Sequence, residues 1–228
     1  KYLESFIDDI IKYPSVVVEG VYTHFSSADV DIEYTNKQID IFNSGVEYIK
    51  KRIDTIKYIH SSASNGLLNF NVDICNMDRA GIIIYGYASS DGTLDKIDIK
   101  PIAKLKSKIN YIKVIDSDES VGYGRRYISD KRITVATVGI GYADGVRRSL
   151  SNKGHVVIRG IKCPIIGSVC MDSFMVDVSK VEEVAVGDDV YIWDNEIITL
   201  EDIANIYDTI NYEVLSGIGE RVPRLFID

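Results

Sequence analysis

Histidine and cysteine are both scarce in this chain, with three of each among 228 residues. Cys75, Cys163 and Cys170 form no CxxC pair and are odd in number. That excludes a disulfide framework and a structural zinc centre, and it reads as reduced thiols in a cytoplasmic setting. His24, His60 and His155 are too few for a histidine-rich metal site. Positive charge is also short. The net charge is −8 and the pI is near 5.0, whereas a nucleic-acid surface needs a basic face. No apolar run approaches the roughly 20 residues of a membrane-spanning helix, and no cleavable leader pattern follows Lys1. What is present is the composition of a globular chain: 46% hydrophobic and 26% charged residues, enough for a substantial core.

The hydrophobic pattern changes about two-fifths of the way along. "YLESFIDDIIKY" puts Leu3, Phe6, Ile7 and Ile10 on one helical face, and "TNKQIDIFNSGVEYIKKRI" does the same with Ile39, Phe42, Val46, Ile49 and Ile53. Between and after them, "SVVVEGVYTHF" reads as a strand buried on both faces. "TIKYIHSSAS" and "NVDICNMDRAGIIIYG" read as strands with polar ends. Such βαβ alternation predicts parallel strands joined by helical crossovers. Beyond "SSDGTLDKIDIKP" the period shortens. "IAKLKSKINYIKVI" alternates, with Ala103, Leu105, Ser107, Ile109 and Tyr111 inward and Lys104, Lys106 and Lys108 on a solvated face. "RITVATVGI", "HVVIRG", "KCPIIGSV", "SFMVDV" and "DDVYIW" are further strands, and only "TLEDIANIYDTI" looks helical, with Thr199 as its cap and Asp202 three residues on. The predicted domains are therefore 1–96, α/β, and 97–228, mostly β. Three βα units are too few for a closed eight-fold barrel of roughly 250 residues. Either the first part is a small open sheet, or it is a portion of a larger barrel; a start directly in a helix favours the portion.

Polar residues collect at the ends of the parallel strands, where α/β architectures place their sites. They include His24 in "THFSSAD", His60 and Ser64 in "HSSAS", and Arg79, Gly81 and Ile82 in "MDRAGI". Ser64 with the amides of Gly81 and Ile82 suits a phosphate, or is merely a helix cap beside a turn glycine. His24 is a site residue or a core histidine bonded to a carbonyl. Arg79, flanked by residues that want burial, needs an acceptor, which Asp73 or Asp78 would supply as an ion pair. In the β half, "GYADGVRR" sets Tyr142 beside Arg147 and Arg148, and a tyrosine serves as acid or base if nearby positive charge lowers its pKa from about 10. Met171 and Asp172, in "GSVCMDSFMVDV", and Tyr212, in "TINYEV", complete the candidates.

Taken in order, "GVYTHFSSAD", "MDRAGIIIYG", "VGYGRRY", "VGIGYADGVRR", "CPIIGSVCMD" and "TINYEV…RVPR" resemble the successive signature segments of the alanine racemase family. The resemblance implies α/β plus mostly-β architecture: the C-terminal portion of a PLP-binding (β/α)8 barrel followed by a β-rich domain. It implies pyridoxal 5'-phosphate as cofactor, a bacterial enzyme supplying D-alanine for peptidoglycan, and a head-to-tail homodimer. In that dimer the β domain of one subunit completes the site of the other. It further implies Tyr142 as the tyrosine exchanging the Cα proton on the L face, and His24 as the link from that tyrosine to Arg79. Arg79 then contacts the pyridine nitrogen. Ser64, Gly81, Ile82 and Tyr212 form the phosphate cradle, and Met171 and Asp172 lie near the substrate carboxylate.

Two departures accompany the resemblance. Ala63 stands where the family usually has asparagine, with Asn65 after the serine instead. No "KANAYGHG"-like segment carrying the Schiff-base lysine occurs, nor a "DTGMGRLG"-like one, so the chain is expected not to racemise by itself. The alternatives are a serine racemase of the vancomycin-resistance type, which allows a cytoplasmic domain of a membrane-anchored protein, or a non-catalytic PLP-binding fragment.

Overall fold

The computed structural model describes residues 2–87 and 97–227. It divides into two compact units, Lys1–Pro101 and Ile102–Asp228. The boundary expected at 96/97, with most of the "SSDGTLDKIDIKP" join, falls at residues 88–96, outside the described residues.

The first unit runs α1 (Leu3–Ile10), β1 (Gly20–Tyr22), α2 (Ile32–Lys50), β2 (Tyr58–His60) and α3 (Ser64–Asn69), then a 3-10 turn at Ile82–Tyr85. Asp31 starts α2 by accepting the Tyr34 amide at 2.9 Å, satisfying one of the donors a helix start leaves open. Its apolar stripe then buries Phe42 and Val46 against Ile59 of β2. β1 and β2 pair in parallel, with Val21 opposite Ile59 and Tyr22 opposite His60, as the βαβ pattern predicts.

Two strand expectations are corrected here. In "SVVVEGVYTHF" only Gly20–Tyr22 is strand, and Val16 and Val17 are exposed rather than buried on both faces. "NVDICN" forms no regular strand. Asn76 takes the place of a ladder: its amide donates to the Ile59 carbonyl at 2.9 Å, and its side-chain Oδ1 accepts the Ile59 amide at 2.8 Å. A side chain answering a backbone donor leaves nothing to propagate to the next residue pair.

The second unit contains β3 (Leu105–Ile115), β4 (Ser120–Val121), β5 (Tyr127–Ile128), β6 (Ile133–Val138), β7 (His155–Ile158), β8 (Ile161–Ile166), β9 (Phe174–Asp177) and β10 (Asp189–Trp193). Helices α4 (Leu200–Tyr207) and α5 (Asn211–Ser216) follow. Six of the strands close an antiparallel barrel in the order β10-β3-β6-β9-β8-β7, so no long strand keeps an open edge. Its interior includes Ile109, Ala136, Val156, Ile165, Phe174, Val176 and Ile192. Lys106 and Lys108 of β3 lie outside, paired with Asp189, and Lys104 just before the strand pairs with Glu196. Tyr111 does not follow the expected inward alternation. A bulge between Ile109 and Tyr111 shifts the register and turns Tyr111 to solvent.

Thr199 and Asp202 make the anticipated reciprocal cap of α4, with bonds of 3.1 and 2.9 Å. A second helix, α5, was not anticipated; its six residues are too few to show a period. The β4–β5 hairpin was missed for the same reason. Its turn is made possible by Gly122 and Gly124, both left-handed at φ 73° and 72°.

Candidate functional site

In the first unit, the polar strand ends converge on Arg79. Its Nη2 donates to the carbonyls of Thr23 (2.9 Å) and Ser61 (3.2 Å) and to His24 Nδ1 (3.2 Å). Its Nη1 meets His60 Nδ1. The ion pair expected with Asp73 or Asp78 is absent among the described residues; carbonyls and imidazoles accept instead. A guanidinium has only donors, so both imidazoles must present an unprotonated Nδ1 to it. His24 is exposed, which excludes the core-histidine reading, and its Nε2 is left as the outward donor. His60 stacks on Tyr22 with ring centroids 5.2 Å apart. Burial, and then the Arg79 charge, hold it below the usual imidazole range, so it stays neutral.

The phosphate candidates meet close by. Ser64 is buried at 1% exposure and opens α3, but Ala63 holds the cap position, so Ser64 is not the helix cap. Its Oγ accepts the Gly81 amide at 3.0 Å, which leaves the hydroxyl proton free to donate elsewhere. Ile82 is buried and begins a 3-10 turn, so its amide has no acceptor within that turn. Beside Ser64, Asn65 has a buried Oδ1 without a partner.

In the second unit, Tyr142, Met171 and Asp172 lie together on a recess of about 560 Å³, with Tyr123, Arg148, Ser168, Cys170 and Ser173. Two backbone bonds seat the Tyr142 turn on the 170–171 loop: Tyr142 to the Cys170 carbonyl and Ala143 to the Met171 carbonyl, each 3.0 Å. Gly141 is required there, since a Cβ would stand 2.3 Å from the Cys170 oxygen. Asp144 caps the turn through the Gly141 amide at 2.9 Å. Arg221 ties it to Asp172, at 3.2 Å from Asp144 and 2.6 Å from Asp172. Tyr212 stands in the first turn of α5, with its side chain partly exposed. The thiols of the unit are free, and burial pushes Cys163 up to about 11, which keeps it protonated and inert.

His60, one of the polar residues read at the strand ends, sits at the end of β2 and had no role assigned from sequence. One residue escaped the sequence reading. Tyr123, 79% exposed at the tip of the β4–β5 turn, faces the same recess as Tyr142. Its signal was the "GYG" in "VGYGRRY", a tyrosine between two glycines that both adopt positive φ.

An αβ unit followed along the chain by a closed β barrel defines a two-domain class, and the family profiles divide the chain in the same way. Residues 1–89 match the alanine racemase N-terminal domain, and residues 102–226 match the alanine racemase C-terminal domain. The chain belongs to the alanine racemase family. It is 40% identical over 225 residues to an alanine racemase of Halothermothrix orenii, covering 96% of this chain and 59% of that one. The alanine racemase of Clostridium difficile 630 in complex with cycloserine superposes with a TM-score of 0.86 at 38% identity, over 96% of this chain and 60% of its own. An alanine racemase from Bartonella henselae with covalently bound pyridoxal phosphate gives 0.81 at 28% identity, over 99% and 61%. This chain thus spans about three-fifths of the length of these relatives. No described helix is long and apolar enough to cross a membrane.

Proposed function

We propose that this chain supplies the pyridine-nitrogen contact, the phosphate cradle and the L-face acid–base of a pyridoxal-phosphate-dependent alanine racemase. The observation that carries the reading is Arg79, held by two imidazoles and two carbonyls with no carboxylate among the described residues. Those bonds use three of its five N–H groups, so two remain for an outside acceptor such as a ring nitrogen. The hydroxyl proton of Ser64 and the amide of Ile82 are two further donors suited to a phosphate. The residues therefore fit the cofactor. When bound, pyridoxal phosphate acts as the electron sink for charge developing at the substrate Cα. A guanidinium does not give up its protons in proteins, so Arg79 would not protonate the nitrogen it faces, which should disfavour side reactions such as transamination.

His24 accepts from Arg79 at Nδ1 and turns Nε2–H outward. In that direction it can donate to a phenolate and so hold a tyrosine in its basic form. Such a tyrosine would come from the partner in a homodimer whose β domain completes each site. The Schiff-base lysine and the opposite-face base would come from the part of the relatives' length that this chain does not span.

The sequence reading gives the proton to Tyr142. The recess holds two tyrosines. The Tyr142 turn is fixed on the 170–171 loop by two backbone bonds, and its side chain stays 44% exposed on the recess with Met171 and Asp172. Tyr123 lines the same recess from the β4–β5 turn. In the complete enzyme, phenylalanine in place of the tyrosine that serves as base should cut L-to-D turnover by about 10²–10⁴-fold, the usual worth of a positioned base. Phenylalanine at the other position should cost far less. A loss in Tyr142→Phe keeps the role there; a loss in Tyr123→Phe moves it to Tyr123; unimpaired turnover in both variants sinks the racemase reading. Ser173 also lines the recess near Met171 and offers a hydroxyl to a serine substrate. Comparing kcat/KM for L-alanine and L-serine decides between the two.

A further inference from the structure

Arg221 is exposed, yet its guanidinium touches two carboxylates that belong to different segments beside the recess. Its Nε lies 3.2 Å from Asp144, in the Tyr142 turn, and its Nη2 lies 2.6 Å from Asp172, in the 170–173 loop. The two acids differ in what they need from it. Asp144 is buried and gives one oxygen to the Gly141 amide, so its other oxygen meets Arg221 with little water to answer it. Asp172 is exposed and lines the recess itself.

The segment that carries Arg221 does not rely on that side chain for its place. The Gly219 amide donates to the Asp144 carbonyl at 3.1 Å. Arg224 donates to the carbonyls of Ile218 and Val222 at 2.9 and 3.0 Å. Gly145 permits the close approach: at φ 110°, a Cβ there would stand 2.5 Å from the Gly217 oxygen. Backbone contact therefore seats 217–219 on the Tyr142 turn, and the Arg221 fork is an addition to it. The consequence of that fork is electrostatic. Two charged residues line the recess, Arg148 and Asp172. Arg148 makes no ion pair among the described residues, whereas Asp172 is answered by Arg221. With Arg221 in place, the recess keeps one uncompensated charge, and it is positive.

We infer that Arg221 is a positioning residue that sets substrate affinity: its guanidinium holds and neutralises Asp172, so that the recess wall accepts the carboxylate of an amino-acid substrate. This rests on the racemase reading, in which Met171 and Asp172 lie near the substrate carboxylate. Without the cation, one bare carboxylate would face another, a juxtaposition that weakens binding.

The test uses the complete enzyme and L-alanine. Arg221→Gln removes the charge and leaves the backbone seat intact. In that variant KM should rise about fivefold or more, the worth of one unit charge at close range in water, while kcat changes much less. Added salt should narrow the difference, because solvent-exposed charges are screened. Asp172→Asn introduced into Arg221→Gln removes the other member of the pair, and it should bring KM most of the way back. Amide hydrogen exchange in residues 141–146 and 170–173 should quicken in Arg221→Gln, since the two segments lose their shared partner.

An unchanged KM in Arg221→Gln overturns the inference outright. A KM that stays raised in the double variant overturns the neutralisation and leaves Arg221 as a tie between segments. Unchanged exchange in both segments overturns the tie. The racemase reading fails separately, through unimpaired turnover in both tyrosine variants, and the exchange measurement decides the tie in either case.

Discussion

The two units solve the problem of burying a sheet in opposite ways. The second closes six strands into a barrel, and its interior is sealed by its own residues, with Phe174, Val176 and Ile192 at 0% exposure. Among the described residues the first has two short parallel strands, whose Tyr22 and Tyr58 are 69% and 50% exposed. Its geometry near the strand ends depends less on a ladder than on side-chain bonds: Arg79 to four acceptors, Asn76 to Ile59, Ser64 to Gly81. Closed backbone pairing makes a rigid frame for the aromatic recess, whereas the Arg79 cluster is held by polar contacts that each contribute about 1 kcal/mol or somewhat more. The comparison predicts different responses to damage.

The largest contrast should come from truncating one core aromatic in each unit. Phe174→Ala empties a site that barrel neighbours cannot collapse into, and it should destabilise the second unit by about 3–5 kcal/mol. Phe42→Ala, beneath partly buried Ile74 and Cys75, leaves neighbours free to relax and should cost less than Phe174→Ala. Segment-resolved hydrogen exchange on the complete enzyme measures both. Equal losses would mean that the first unit is as tightly packed as the barrel. A smaller effect is expected at the α4 cap: Thr199→Ala removes one half of the reciprocal pair with Asp202 and should lower stability by about 1 kcal/mol. Its exchange signature should stay within α4.

The same contrast explains what could be read in advance. The barrel strands were legible because each is four or more residues long, which is enough to show apolar patterning between turn signals. The long stripe of α2 and the reciprocal cap of α4 were legible for the same reason of length. What escaped is short or non-repeating. The β4–β5 pair, α5 and the bulge after Ile109 carry no period, and Asn76 imitates a backbone partner in a way that apolar patterning cannot register. In the site, single residues at strand ends were visible as types, so His24, Ser64 and Arg79 stood out. Their mutual bonds were not, and Arg79 was matched to carboxylates because an acid nearby in sequence is the simplest acceptor. Tyr123 was passed over because its place depends on the positive φ of two glycines and on a recess built from three separate loops.

The finest test of the contrast is pH. His60 belongs to the polar cluster, and burial first and the Arg79 charge second lower its affinity for a proton, with Asp78 opposing. Its folded value therefore lies below the ordinary 6.5, and between the two values the unfolded chain binds more protons than the folded one. The contribution to stability is complete above 6.5 and is lost as acid takes the pH down through the folded value. His155 on β7 is lowered in the same direction, by burial and then by Lys162, so a simple pH profile mixes the units. His60→Gln separates them, because the glutamine carbonyl can still accept from Arg79 but cannot titrate. As pH falls from about 8 to about 5, where histidine titrates, exchange in residues 58–79, referred to the intrinsic amide rate at each pH, should lose more protection in the native protein than in His60→Gln. The response around His155 should be the same in both. If the two proteins show the same pH response at 58–79, then the imidazole is not what couples the cluster to acid, and Arg79 is held mainly by the carbonyls of Thr23 and Ser61.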